Sequence, residues 1–83
     1  MLKVGEVLVS WRMSQRRGSN GSGAMTLNEV ARAIHERYES VYRIENGGGS
    51  PAVLVKYLLF ISRHDPSFDF MTELKKAYYG GII

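Results

Sequence analysis

Cysteine is absent from this chain, which removes disulfides, thiolate zinc sites and cysteine nucleophiles together. Proline is scarce: only Pro51 and Pro66 occur, and they bracket a single segment. No long apolar run exists either. The longest, Ala52 to Ile61, is interrupted by Lys56 and falls well short of the ~20 residues that span a bilayer. The opening Met-Leu-Lys-Val-Gly-Glu loses its apolar character too early for a signal peptide. No membrane association, and cytoplasmic or nuclear residence by default, are the expectations. The two histidines, His35 and His64, have no matching cluster of carboxylates at i, i+3 or i+4, so neither a metal site nor a cofactor is expected.

Positive charge is the next thing to locate. The formal net charge is +3, which would suggest a phosphate partner if it were spread over the domain. From Thr26 onward, however, seven basic residues (Arg32, Arg37, Arg43, Lys56, Arg63, Lys75, Lys76) meet seven acidic ones (Glu29, Glu36, Glu39, Glu45, Asp65, Asp69, Glu73). The excess therefore belongs to the N-terminal segment, with Lys3, Arg12, Arg16 and Arg17 against Glu6.

What is present is organised around residues 50–64. Ser50 can cap a helix that Pro51 opens, and Asp65-Pro66 ends it, because the residue before proline is driven out of the α region. Between them the helix is apolar on every face except at Lys56, which predicts that residues 52–61 are the most buried element. Upstream, Thr26 and Glu29 have the spacing of a capping box. Leu27, Val30, Ala31, Ile34, Tyr38 and Val41 recur at helical spacing, which predicts one helix over 26–43. Asn46-Gly47-Gly48-Gly49 reads as a pliable connection. Downstream, Asp69 or Ser67 can cap a third helix over 69–79, with Phe70, Leu74, Ala77 and Tyr78 on one stripe and Gly80 placed to stop it.

Residues 2–13 fit two periods. As a strand, Val7, Val9, Trp11 and Met13 share a face; as a helix, Val4, Val7, Leu8 and Trp11 stand at i, i+3, i+4 and i+7. Three valines and an early glycine favour the strand. Six residues drawn only from Gly, Ser and Asn follow at 18–23, and Gly-Ser-Gly-Ala-Met just before the capping box reads as a join between two pieces. The expected architecture is mainly α: a small three-helix domain (26–83), a flexible linker (18–25) and an extended, strand-like segment (1–17).

Catalysis has little to stand on. His64-Asp65 is accounted for by a helix end and an Asp-Pro turn, and Gly47-Gly48-Gly49-Ser50 lacks the lysine and spacing of a phosphate loop. A non-enzyme is expected. Nine aromatic residues in 83 exceed what three short helices need for a core, and tyrosine and tryptophan are enriched where proteins touch. The expected function is a protein–protein interaction module, a peptide segment (1–17) fused to a helical peptide-binding domain (26–83). Val4, Val7, Leu8, Val9 and Trp11 are the candidate anchors. Ile34, Tyr38, Tyr42, Tyr57, Phe60, Phe70 and Tyr78 are the candidate groove, and Arg12, Arg16 and Arg17 face Glu29, Glu36 and Glu39 as an electrostatic rim. The alternative is a small helix-turn-helix or winged-helix-like nucleic-acid-binding domain with residues 1–17 as a basic arm.

Overall fold

The structure, a computed structural model, describes residues 2–15 and 24–79. Five helices follow one another: α1 (Leu2–Ser14), α2 (Leu27–Ala33), α3 (Tyr38–Glu45), α4 (Pro51–His64) and α5 (Phe70–Tyr79). The chain is mainly helical, with no strand among the described residues. Arg16, Arg17 and the Gly/Ser stretch 18–23, expected as a flexible linker, lie outside the described part.

The strand expected for residues 2–13 is a helix. Val4, Val7, Leu8 and Trp11 are all buried, with Leu8 wholly so, whereas Met13 is 58% exposed although the strand face would have put it inside. Burial along a single 3.6-residue stripe outweighs the β preference of three valines, a preference that spans only ~1 kcal/mol. Gly5 sets how closely this helix approaches its neighbour. A Cβ built on it would lie 2.2 Å from the carbonyl oxygen of Glu45 and 3.2 Å from that of Ile44, so α1 rests directly on the backbone at the C-terminal end of α3. No other residue type allows that contact.

The single helix expected over 26–43 is broken. Thr26 and Glu29 do form the reciprocal capping box at its start, but α2 closes after Ala33 in a Schellman arrangement. The Glu36 N–H donates to Ala31 O at 2.9 Å, the His35 N–H donates to Arg32 O at 3.2 Å, and His35 takes a left-handed φ of 57°. The break turns the chain so that Ile34, at the end of α2, and Val41 and Ile44, in α3, can all be buried. The end of α3 repeats the device with Gly47 (φ 93°), where Gly48 N–H donates to Arg43 O at 2.8 Å. The first part of the glycine-rich connection therefore serves as the C-cap of α3.

Helix α4 has the expected bounds. Ser50 Oγ accepts from Ala52 N–H, Pro51 occupies the first turn, and Asp65 follows the last. It is not the most buried element, however. Only Val53, Tyr57 and Ile61 are inside, while Val55 and Leu59 are more than half exposed and Leu58 is half-buried. Its core face is one i, i+4, i+8 row, and the deepest burial lies instead on α1, which carries Val4, Val7, Leu8 and Trp11 inside and packs on α3 and α5. Helix α5 begins one residue later than expected, capped by Asp69, whose carboxylate accepts from the backbone and the hydroxyl of Thr72. It buries no residue fully and lays Phe70 and Leu74 against the core. Met25, expected as the last residue of the linker, is buried, and its N–H donates to the Gln15 carbonyl at 3.1 Å.

Candidate functional site

The site is the groove that holds α1. Helix α1 packs on α3 and α5, and its Val4, Leu8 and Trp11 share one core cluster with Val30 of α2, Val41 and Ile44 of α3, and Val53, Tyr57 and Ile61 of α4. At one end Trp11 meets the edges of Phe60 (5.8 Å, 89°) and His64 (5.8 Å, 86°) and tilts against Phe68 at 6.3 Å. Its indole N–H donates to Asp65 Oδ2 at 3.2 Å, so the polar corner of a ring that is only 2% exposed has a partner. At ~1.5–3 kcal/mol for each fully buried side chain, Val4, Val7, Leu8 and Trp11 bring roughly 6–12 kcal/mol before ordering entropy is subtracted. That gross figure is comparable with the whole stability of a small domain.

A polar network crosses the middle of the groove. Arg12 grips Glu45 bidentately, Nε to Oε2 at 2.8 Å and Nη2 to Oε1 at 2.9 Å, and its remaining nitrogen Nη1 donates to the Met25 carbonyl at 3.0 Å. Tyr57 Oη donates to Glu45 Oε2. The Glu45 side chain is 3% exposed and that of Arg12 12%. No buried side-chain nitrogen or oxygen among the described residues lacks a partner. The Glu45 hydrogen bonds hold the Arg12 guanidinium above its ordinary value. Burial, reinforced by the bond to Glu45, pushes the Tyr57 phenol far up, so it remains a donor at any physiological pH. At the tryptophan end, donation from Ser67 and then from Trp11 keeps the Asp65 carboxyl below the usual range.

The structure distributes the sequence-predicted residues unevenly. Val4, Val7, Leu8 and Trp11 are inside, and Val9 is half-buried. Of the aromatic and aliphatic groove candidates, Ile34 and Tyr57 are buried and Phe60 and Phe70 half-buried. Tyr38, Tyr42 and Tyr78 are exposed, Tyr38 stacking on Tyr42 at 6.2 Å on the outside of α3. Arg12 reaches Glu45 rather than Glu29, Glu36 or Glu39; Glu29 closes its capping box, Glu36 pairs with Lys56 at 2.6 Å, and Glu39 is exposed. Sequence reasoning passed over Gly5, Glu45, His64, Asp65 and Phe68 as groove residues. Glu45 did leave a trace: a carboxylate in the last turn of α3 opposes the helix dipole, which calls for a cation from elsewhere in the fold.

A second concavity, of about 570 Å³, runs between α1 and α5 and is lined by Glu6, Ser10, Ser14, Trp11, Phe68, Glu73 and Lys76, among others. Lys76 pairs with Glu73 at 3.3 Å. Among the described residues no three His, Asp or Glu gather as a metal site, and no helix is long and apolar enough to cross a membrane. No family model matches this chain, and neither a curated protein nor a solved structure matches it.

Proposed function

We propose that the protein is a non-catalytic protein–protein interaction module of the helix-in-groove kind, in which residues 1–17 act as a tethered helical ligand for the domain formed by residues 26–83. The observation that carries this reading is the seating of Val4, Leu8 and Trp11, an i, i+4, i+7 set, in the core formed with the other helices, with Val7 at i+3 buried on the side of α1 that faces α5. That is the anchor pattern by which amphipathic helices are bound. The Gly/Ser-rich residues 18–23 stand between ligand and receptor in the sequence, and such a tether raises the local ligand concentration into the millimolar range. The nucleic-acid alternative has weaker support, because all three guanidinium nitrogens of Arg12 are engaged with Glu45 and Met25 and are not presented to a phosphate.

The test is to express residues 25–83 alone and titrate them with a synthetic 1–17 peptide, following the emission of Trp11, the sole tryptophan. Saturable binding with a blue shift and a gain in helicity is the expected outcome, and a Trp11→Ala peptide, followed by circular dichroism because it carries no tryptophan, should give no gain in helicity. A 25–83 fragment that stays unfolded with or without peptide would make α1 an integral part of one fold and end the module reading.

A further inference from the structure

Glu45 is touched by α1 at two places two turns apart. Its backbone lies under Gly5, and its carboxylate takes Arg12. Gly5 and Arg12, seven residues apart, lie on nearly the same helical face. The two contacts exclude different helices. At the first, any side chain larger than hydrogen meets backbone atoms that no rotamer change can move away, with 2.2 Å to Glu45 O and 2.7 Å to Glu45 C. At the second, the carboxylate is nearly sealed from water and offers both oxygens in one plane to Nε and Nη2, while the Met25 carbonyl takes Nη1. A guanidinium answers this set of acceptors with its fixed fork, whereas an ammonium is a single point that satisfies one oxygen well and leaves the rest of the set short. Tyr57 donates to Oε2 beside Arg12 and so adds a second restraint on the orientation of the carboxylate.

We infer that the groove is selective, and that the partner it fits is an amphipathic helix carrying a glycine seven residues before an arginine, with apolar residues at the positions of Val4, Val7, Leu8 and Trp11. This rests on the interaction-module reading and adds what that module discriminates. Apolar anchors alone do not define a partner, since many amphipathic helices present such a stripe. Discrimination comes from the costs imposed on wrong helices: a backbone clash at the glycine position and a buried, unpaired Glu45 where the arginine is missing.

The test uses the full chain with a protease site placed within residues 18–23. After cleavage the α1 fragment remains seated and is challenged with labelled 1–17 peptides. The wild-type peptide should exchange in. Arg12→Lys and Gly5→Ala peptides should each need at least tenfold higher concentrations to do so. Equal competition by Arg12→Lys, within threefold of wild type, would overturn the selectivity and leave the module reading standing. Failure of the wild-type peptide itself to exchange, or collapse of the 24–83 half on separation, would count against the module reading. The intact chain then decides whether Glu45 requires a guanidinium. Arg12→Lys must lower the melting temperature in wild type and have much less effect in a Glu45→Gln background, and equal effects in the two backgrounds would overturn the assignment of Glu45 as the arginine acceptor.

Discussion

Gly5→Ala is the most discriminating single change in this molecule, because two effects of opposite sign compete in it. In an exposed helix interior the substitution stabilises by about 0.8–1 kcal/mol, since alanine loses less backbone entropy than glycine. At Gly5 the new methyl would sit 2.2 Å from Glu45 O, 2.7 Å from Glu45 C and 3.2 Å from Ile44 O, all of them backbone atoms in the last turn of α3. Restoring an ordinary contact of about 3.5 Å requires α1 and α3 to part by roughly 1 Å. That displacement loosens Leu8 and pulls Arg12 from its two-pronged grip on Glu45. Overpacking of this kind costs about 1–3 kcal/mol, occasionally more, so the net expectation is a loss of up to about 2 kcal/mol. For a domain of this size each kcal/mol shifts the melting temperature by roughly 4–8 °C. Thermal unfolding followed by circular dichroism at 222 nm, with urea unfolding to check that the m-value is unchanged, measures it. A melting temperature several degrees above wild type would mean that the propensity gain stands alone, and the close approach of α1 to α3 would be refuted.

Five further substitutions have defined outcomes. Leu8→Ala, at a side chain with no exposure, should cost ~2–5 kcal/mol, and Leu58→Ala, at a half-buried position on α4, clearly less; the same urea titrations rank them, and the reverse order would contradict the central place of α1. On the acid side, the Asp65 carboxyl is held low by Ser67 and Trp11, so the unfolded chain, with an aspartate value near ~3.9, takes up the proton first. Its stabilisation is present above that value and is lost as pH falls through the lower folded value; Asp65→Asn should flatten the acid limb of melting temperature against pH, and identical limbs would refute the contact. On the alkaline side the sign is opposite. Tyr57 is raised above the ordinary phenol value of ~10, so its contribution is complete below that pH and declines above it as the unfolded state ionises first. Ultraviolet titration should find one of the five tyrosines ionising only with unfolding, and Tyr57→Phe should abolish that component. Finally, His35 holds a left-handed φ of 57°, a conformation that costs a non-glycine residue about 1–2 kcal/mol; His35→Gly should raise the melting temperature by several degrees, and a fall would show that the fold depends on its side chain as well as on the backbone cap it supplies.

The parts of this fold that were legible in the sequence are the ones decided by neighbours along the chain. Ser50-Pro51 and Asp65-Pro66 set both ends of α4, Thr26 and Glu29 start α2, and Asp69 starts α5, each through a group within four residues. The state of residues 2–14 was not decided locally. Both periods fit, and the choice was made by Glu45, Tyr57 and Phe60, which the chain reaches only much later. The break after Ala33 was hidden for a related reason: a left-handed C-cap normally announces itself by glycine, and here histidine occupies it. Four of the candidate anchors could be read from spacing alone, but the arginine acceptor could not, because nothing in the sequence near Glu45 points to Arg12, 33 residues away.

The separation between α1 and its contacts also fixes the order in which the molecule can assemble. Arg12 and Trp11 meet partners 33 and 54 residues further along the chain, whereas α2 and α3, and α3 and α4, are joined by connections of a few residues. Local pairs close quickly and distant ones slowly, since loop-closure entropy is lost before the contact rewards it. During synthesis the apolar stripe of α1 is made first and must wait, unmatched, until Asp65 and Phe68 have been added. The tether favours the chain's own groove, so a neighbouring chain competes for the waiting helix only where the protein itself approaches millimolar concentration, and exchange of α1 between copies is expected there alone.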